Sequence, residues 1–218
     1  MKISVLFIFL AAAFWSCQGP SGERAVTGEA ATSALVAEEY ETLAVNTESS
    51  SIEWIGARPA SQHNGTVALK DGHIKVSNGA IVGGEFVIDL EQIVVTDITD
   101  PGRNARLKGH LESDDFFDVP NHPEAIFEIT DVQSVDNNEN GFTHHITGNL
   151  LMRGVTRSIG FNANVDLSGD QVTAQSEQFL IDRTEWGVNY ESPTVYANLV
   201  DRFILDDIAL VVNLNASK

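Results

Sequence analysis

The chain has 218 residues, of which 43% are hydrophobic, so it can bury one sizeable core, and two full domains would be a tight fit. Its 31 acidic and 13 basic residues give a formal net charge of −18 at pH 7. Because nucleic-acid binding depends on contacts between cations and phosphates, this charge argues against a nucleic-acid partner and against docking on an anionic membrane through a basic face.

Residues 1–17, MKISVLFIFLAAAFWSC, have the pattern of a secretory signal peptide. Lys2 precedes an apolar run that is too short to span a bilayer comfortably but suits the apolar region of a signal. Cys17, the single cysteine, stands where such a signal would end, so no intramolecular disulfide can form. The segment resembles a bacterial lipoprotein signal in which Cys17 is lipidated, although Phe14 and Trp15 depart from that pattern. An ordinary signal peptide is the alternative.

Residues 18–46 are small, polar and acidic, without a sustained apolar period. This composition predicts a flexible tether between a membrane anchor and the folded domain. The domain is then expected over residues 47–215.

The segments that follow the tether have the composition of β-strands. Turn signals such as Asn78-Gly79 and Gly169-Asp170 separate them and favour hairpins. The expected strands are residues 51–57, 65–79, 80–90, 125–135, 142–152, 155–167, 171–182 and 203–214. Strands joined mostly by tight turns predict an all-β, antiparallel fold, either a barrel or a sandwich. A barrel is preferred, because closure removes exposed strand edges.

One helix is predicted inside the domain, within TDPGRNARLKGHLES. Asp100 can cap its first amides, and Pro101 suits the first helical position. Leu107 and Leu111 lie four residues apart on one face, which His110 shares. A helix of this kind inserted between strands could close one end of a barrel.

The stretch GHLESDDFFDVPNHP, residues 109–123, allows three interpretations. A metal site would use the histidines and acids, but this oxygen-rich set without cysteine fits no recognised zinc spacing. An acid/base pair lacks a nearby nucleophile or oxyanion signature. The preferred interpretation is a structural plug, in which Phe116 and Phe117 cover the barrel end while His110 and Asp118 satisfy buried polar groups. Neither catalytic nor metal-ligating residues are therefore assigned.

Aromatic residues at inward-facing strand positions could form either a ligand cavity or a filled core. The choice depends on whether the barrel interior is hollow. These residues are Trp54, Phe86, Phe127, Phe161, Phe179 and Trp186.

Several longer motifs follow one another along the domain. They are SIEWIGARPASQHNGTVALKDGHI, GGEFVIDLEQI, LKGHLESDDFFDVPNHPEAIFEIT, ITGNLLMRGVTRSIGF and IDRTEWGVNYES. Together they resemble the YceI-like family of lipocalin-like, polyisoprenoid-binding barrel proteins, over about Thr47 to Asn215.

The resemblance implies an eight-stranded antiparallel lipocalin-like barrel, exported to the periplasm or anchored at the outer membrane, with a cavity for an isoprenoid quinone or polyprenyl chain. Members of the family are linked to lipid or quinone handling and to stress response. His63 matches a recurrent histidine of the family and could donate to a ligand headgroup, or serve as a turn histidine bonded to backbone. Arg183 could reach a ligand oxygen or pair with Asp182. The expected ligand-binding set is Trp54, His63, Phe86, His110, Phe127, Phe161, Phe179, Arg183 and Trp186.

The leading hypothesis is a non-catalytic protein that binds, sequesters or transports a long-chain apolar lipid in the cell envelope, with no cofactor apart from a bound isoprenoid. The first alternative is an enzyme acting on a lipid or quinone, with His63, His110 or Arg183 in polar roles. The second is a scaffold whose acidic exterior binds an envelope partner. A homodimer is left open.

Overall fold

The computed structural model describes residues 19–34, 39–135, 141–200 and 202–218. The predicted signal and its Cys17 lie outside these residues. The helices are α1 (Pro101–Glu112) and a 3-10 helix, Arg183–Trp186. The strands are β1 (Glu23–Arg24), β2 (Gly28–Glu29), β3 (Glu41–Val45), β4 (Ser51–Arg58), β5 (Ser61–Ser77), β6 (Ala80–Val95), β7 (Glu124–Ser134), β8 (His144–Met152), β9 (Val155–Ser168), β10 (Gln171–Ser176), β11 (Phe179–Asp182) and β12 (Asp207–Ser217).

Eight of these strands form a closed ring. The order β4-β5-β6-β7-β8-β9-β10-β12 returns to β4 through the pairing of β12 with β4, and every pairing in the ring is antiparallel. The predicted all-β fold, an eight-stranded antiparallel barrel with one short helix, is therefore confirmed.

The helix α1 begins where the sequence indicated. The Asp100 side chain accepts a hydrogen bond of 2.8 Å from the Arg103 amide, and Pro101 takes the first helical position. Leu111 is buried, and α1 packs against β6. The helix α1, residues 113–123, residues 183–200 and residues 202–205 connect strands at one end of the barrel, which we call the helix end.

The predicted strand over residues 171–182 is interrupted. Glu177 and Gln178 lie outside the ladder, where the Glu177 amide donates to the Asn162 carbonyl at 2.8 Å. β10 pairs with β9 and β12 before the break, whereas β11 pairs with β12 and, in parallel, with β1 after it. The chain segment that continues from β1 places β2 against β9. The N-terminal segment therefore spans the part of the wall between β9 and β11.

Part of the segment predicted to be a flexible tether, residues 18–46, forms strands of the sheet where the structure describes it. β1, β2 and β3 all pair with barrel strands, and Leu43 and Ala25 are 2% and 5% exposed. The Ala25 amide also donates to the Leu180 carbonyl at 2.8 Å. Single apolar residues in a polar segment produce no periodicity, so the sequence did not indicate these strands. The ordered domain accordingly extends upstream of residue 47, with β3 beginning at Glu41.

The core consists of the inward-facing residues of the ring. On β9, Ile159, Phe161 and Ala163 are buried while Asn164 and Asp166 are exposed, as strand alternation requires. Within residues 19–34, 39–135, 141–200 and 202–218, no helix is long and apolar enough to cross a bilayer.

Candidate functional site

The barrel encloses a cavity of about 200 Å³. Its walls are almost entirely apolar, and the side chains with polar atoms among the residues that line it are Ser176, Arg183 and Trp54, through its indole N–H. An apolar cavity of about 150 Å³ is already large enough to hold a benzene ring. The interior is therefore not completely filled by side chains, and it can accept part of a slender apolar molecule.

A row of phenylalanine rings forms one wall of the cavity. The ring centroids of Phe86 and Phe127 are 6.3 Å apart, those of Phe127 and Phe161 are 5.8 Å apart, and those of Phe161 and Phe179 are 4.4 Å apart. The last pair is stacked, with an interplanar angle of 4°. Rings held in contact across different strands make a continuous apolar surface.

Gly148 on β8 makes room for this wall. A Cβ atom there would overlap the Phe127 ring and lie 2.6 Å from the Glu128 carbonyl oxygen. The absence of a side chain at this strand position thus lets the Phe127 ring approach the backbone at Gly148 closely.

The structure brings most of the predicted aromatic residues to the cavity. Trp54, Phe86, Phe127, Phe161 and Phe179 all line it. Trp186 is 1% exposed but is not one of the described lining residues, and its Nε1 donates to the Leu150 carbonyl at 3.0 Å. That hydrogen bond fixes the indole in the core beside β8, since a buried indole N–H needs an acceptor.

The residues interpreted as a plug lie at the helix end. Phe116 is 7% exposed, and both Phe116 and Phe117 line the cavity. The Arg153 guanidinium donates to the Phe116 carbonyl and, at 3.2 Å, to the Asp114 carbonyl. Arg153 therefore holds this turn against the end of the β8–β9 hairpin.

His110 pairs with Asp115, an acid of the same turn. Its Nε2 lies 3.0 Å from Asp115 Oδ2, whereas Asp118 accepts from the Asn121 side chain. The imidazole packs edge to face on Phe116 and on Tyr190, with centroids 4.9 Å apart in each case. His110 thus lies between Phe116 and Tyr190, and it joins the plug to the segment that follows the 3-10 helix.

His63 lies at the helix-end rim, opposite Gly56 on β4. Its Nδ1 is 2.8 Å from Asp97 Oδ2, and the Asn64 amide donates to Asp97 Oδ1 at 3.1 Å. Burial favours the protonated form of Asp97, but the hydrogen bonds from His63 and Asn64 outweigh it and hold the pKa of Asp97 below its ordinary value. His63 and Asp97 therefore tie the start of β5 to the loop before α1.

Arg183 is 1% exposed and gathers the 183–205 segment around its guanidinium. It donates to the carbonyls of Val188 at 2.6 Å, Tyr190 at 2.9 Å, Ile204 at 3.1 Å and Leu205 at 3.2 Å. Its acidic partner is Asp206, at 3.4 Å. Burial lowers the pKa of Arg183, and the charge of Asp206 opposes that effect.

The expected pairing of Arg183 with Asp182 is not the ion pair that forms. Asp182 instead caps the 3-10 helix, where its Oδ1 accepts from the Thr184 amide at 2.9 Å and the Thr184 hydroxyl at 2.6 Å. An N-cap aspartate points back at its own helix, so the guanidinium turns to the acid that precedes β12. Most of the Arg183 donors are thus committed to the protein rather than to a ligand.

Sequence reasoning missed two parts of the site. The aliphatic wall could have been found from strand alternation, since it includes Ile52, Val67, Leu69 and Ile88 at alternate strand positions. Ile204 and Leu205 fall within the predicted strand 203–214, but β12 begins only at Asp207, and their inward position follows from the long-range bonds to Arg183. Among the described residues, no three His, Cys, Asp or Glu side chains form a cluster that could hold a metal ion.

Comparison with known sequences shows the family of the domain. Residues 43–216 match the family model described as YceI-like domain. A UPF0312 protein of Pseudomonas aeruginosa is 41% identical over 61 residues, which are 28% of this chain and 29% of that protein. A UPF0312 protein of Pectobacterium atrosepticum is 38% identical over the same length. The chain thus aligns with 29% of the length of these curated relatives.

Solved structures share the barrel architecture. BcnA of Burkholderia cenocepacia matches with a TM-score of 0.60 at 17% identity, covering 79% of this chain and 99% of that one. A polyisoprenoid binding domain from Saccharophagus degradans matches with a TM-score of 0.57 at 15% identity, covering 82% of this chain and 99% of that one. At these identities the likeness concerns the fold.

Proposed function

The chain belongs to the family of YceI-like domains, and from this premise we propose that its barrel binds the apolar chain of a long lipid of the isoprenoid quinone or polyprenyl type. The observation that carries the proposal is the cavity of about 200 Å³, whose wall is a row of phenylalanines and aliphatic side chains. The description of the Saccharophagus degradans neighbour as a polyisoprenoid binding domain supports the same class of ligand.

The chemistry of the wall favours a hydrocarbon chain over a polar ligand. Each buried methylene group contributes about 0.8 kcal/mol through removal from water. Two of the three polar side chains in the wall have protein partners, since Ser176 Oγ accepts from the Val212 amide at 2.8 Å and donates to the Glu177 carbonyl, and Arg183 holds backbone carbonyls. The third polar group, Trp54 Nε1, is buried and has no hydrogen-bond partner among the described residues. The headgroup of the lipid would then remain at an end of the barrel.

We place this binding in the bacterial cell envelope and regard it as sequestration or transport rather than catalysis. The apolar segment before Cys17 has the pattern of an export signal, and a lipid attached at Cys17 would keep the barrel near a membrane. His63, His110 and Arg183, the polar residues that a catalytic hypothesis would use, each have a protein partner within 3.0 Å.

The direct test is mass spectrometry of an organic extract of the chain purified from a bacterial envelope. A stoichiometric polyprenyl or quinone species is expected. A quantitative version uses farnesol and geranylgeraniol as probes in thermal denaturation, where binding to the folded state raises the melting temperature. An empty extract, together with no stabilisation by either alcohol, would contradict the proposal.

A pair of glycine variants separates cavity binding from adsorption to the surface. Gly56 lines the cavity, and a Cβ there has no atom within 4 Å, so Gly56→Leu can extend into the interior. Gly28 on β2 has equally open surroundings outside the ring, so Gly28→Leu is the matched control. Stabilisation by geranylgeraniol should weaken in Gly56→Leu and persist in Gly28→Leu. Equal stabilisation of both variants would place the ligand outside the barrel.

A further inference from the structure

The helix end carries an exposed apolar loop, residues 193–200, which we call the tip loop. Its sequence PTVYANLV contains no charged residue, although 20% of the chain is charged. Val195, Tyr196 and Val200 are 46%, 50% and 76% exposed. Exposed apolar side chains grouped on one loop are characteristic of an interaction surface, whereas single ones are ordinary.

The two legs of the tip loop are fixed to each other at their base. Arg183 binds carbonyls on both legs, those of Val188 and Tyr190 before the loop and of Ile204 and Leu205 after it. The Ile204 amide also donates to the Glu191 carbonyl at 2.9 Å. Ile204 and Leu205 themselves line the cavity. An exposed apolar segment is thus connected within a few residues to the wall of the cavity.

The backbone of the tip loop is itself unfavourable. Asn198 and Val200 have φ angles of 72° and 54°. A β-branched residue rarely adopts the left-handed region, so this conformation at Val200 costs free energy. The tip loop therefore combines backbone strain with exposed apolar side chains, and this combination indicates a surface that binds a partner.

The helix α1, at the same end, presents two cations. Arg103 and Arg106 are three residues apart, exposed, and without an acidic partner among the described residues. Most other basic side chains of the described chain are engaged, for example Arg24, Lys70 and Lys218 with carboxylates. Arginine forms bidentate hydrogen bonds with phosphate oxygens.

We propose that the helix end docks on a phospholipid bilayer, with the tip loop in the interfacial region and Arg103 and Arg106 against lipid phosphates. Apolar side chains enter this region readily, and adjacent cations add attraction to phosphates. The net charge of −18 disfavours a strongly anionic surface, so the partner is a bilayer rich in zwitterionic lipid. The inference rests on the proposed function, because docking in this orientation brings the cavity to the source of its lipid.

The test uses the full chain with Cys17→Ser, an environment-sensitive fluorophore on a single new cysteine, and phosphatidylcholine vesicles. Val195→Cys labels the tip loop, and Tyr40→Cys labels a position of nearly equal exposure, 46% against 48%, beside Glu41, which pairs with Val76 at the opposite end of the barrel. The label at 195 should shift its emission to the blue and resist an aqueous quencher when vesicles are added, while the label at 40 stays quenchable. Equal quenching at both positions would overturn the proposal, and so would protection at 195 without vesicles, because a second copy would then cover the loop.

Substitutions test the same surface without a label. Val195→Asp with Tyr196→Asp should slow transfer of geranylgeraniol from vesicles by about tenfold, since charged residues are excluded from the interface. Tyr40→Asp, at the opposite end of the barrel, should leave transfer unchanged. Binding of geranylgeraniol delivered in detergent separates the two proposals, because loss of docking alone leaves this binding intact in every variant. An unaltered transfer rate in the double variant, with its fold verified by circular dichroism, would reject the docking surface.

Discussion

The guanidinium of Arg24 lies 2.7 Å from the carboxylate of Asp207, and this ion pair joins the N-terminal segment to the first residue of β12. Arg24 also approaches Asp182 at 3.6 Å. Burial raises the pKa of Asp207, and the charge of Arg24 opposes that rise. The positive charge of Arg24 therefore offsets the repulsion between the carboxylates of Asp182, Asp206 and Asp207, where β11 and β12 pair.

Arg24→Ala should loosen the N-terminal segment. The pair is partly exposed, so the loss in free energy of unfolding is expected to be below about 1 kcal/mol. Hydrogen exchange should nevertheless accelerate at the amides of β1 and β2, because the bond that fixes them to the wall between β9 and β11 is weakened. Arg103→Ala, which removes an exposed arginine without an acidic partner, should leave this exchange unchanged.

The same substitution predicts a pH dependence. A carboxyl whose folded-state pKa is raised destabilises the fold above that pKa and stops doing so as the pH falls through it. Without Arg24 the pKa of Asp207 rises further, so the stability difference between wild type and Arg24→Ala should be largest at neutral pH and shrink on acidification. A difference that grows on acidification would contradict this account of the contact.

Arg183→Met should destabilise the barrel by about 3–5 kcal/mol, because it leaves Asp206 buried without its counter-ion and several carbonyls without donors. Chemical denaturation measures the loss, and limited proteolysis should cut within residues 188–205 first. The control is Arg153→Met, which also removes hydrogen bonds to backbone carbonyls but from a partly exposed arginine. If both variants lost the same free energy of unfolding, the burial of Arg183 would add nothing to the effect of removing its hydrogen bonds.

Features encoded by local patterns were predictable from the sequence. Alternation on β9 and the Asp100 cap of α1 depend on neighbouring residues, and both are present in the structure. The inward direction of Phe127 and Phe161 follows from the same alternation.

Features that depend on distant partners could not be predicted. β1 is a strand only because β11 is available beside it, and the Glu177 break appears only when β9 and β12 are both in place. The choice of Asp206 over Asp182 as partner of Arg183 follows from the cap that Asp182 makes to Thr184. Neither spacing nor composition contains this information.

Gly148→Ala should disturb the phenylalanine wall. The new methyl group would overlap the Phe127 ring and approach the Glu128 carbonyl oxygen, so Phe127 must move away. Overpacking of this kind typically costs about 1–3 kcal/mol. Gly56→Ala is the control, because a Cβ at that strand glycine meets no atom within 4 Å. Thermal denaturation and near-ultraviolet circular dichroism should change in the first variant and stay close to wild type in the second.

The bond between His63 and Asp97 should make the helix-end rim sensitive to acid. The pKa of Asp97 in the folded state lies below its ordinary value, so its contribution to stability is complete above the unfolded-state pKa and is lost as the pH falls through the folded-state pKa. Asp97→Asn should therefore lower the free energy of unfolding by about 1 kcal/mol at neutral pH, the usual contribution of a hydrogen bond of this kind. The difference from wild type should vanish in strong acid.

Asp166→Asn, at an exposed position on the outer face of β9, provides the baseline for removing one negative charge from this acidic chain. Urea denaturation over a pH series measures both variants. A pH-independent difference for Asp97→Asn would mean that the carboxylate acts through its shape and position rather than through its charge. A pH-dependent loss would show that the charge of Asp97, held at the rim by His63 and Asn64, contributes to the stability of the fold.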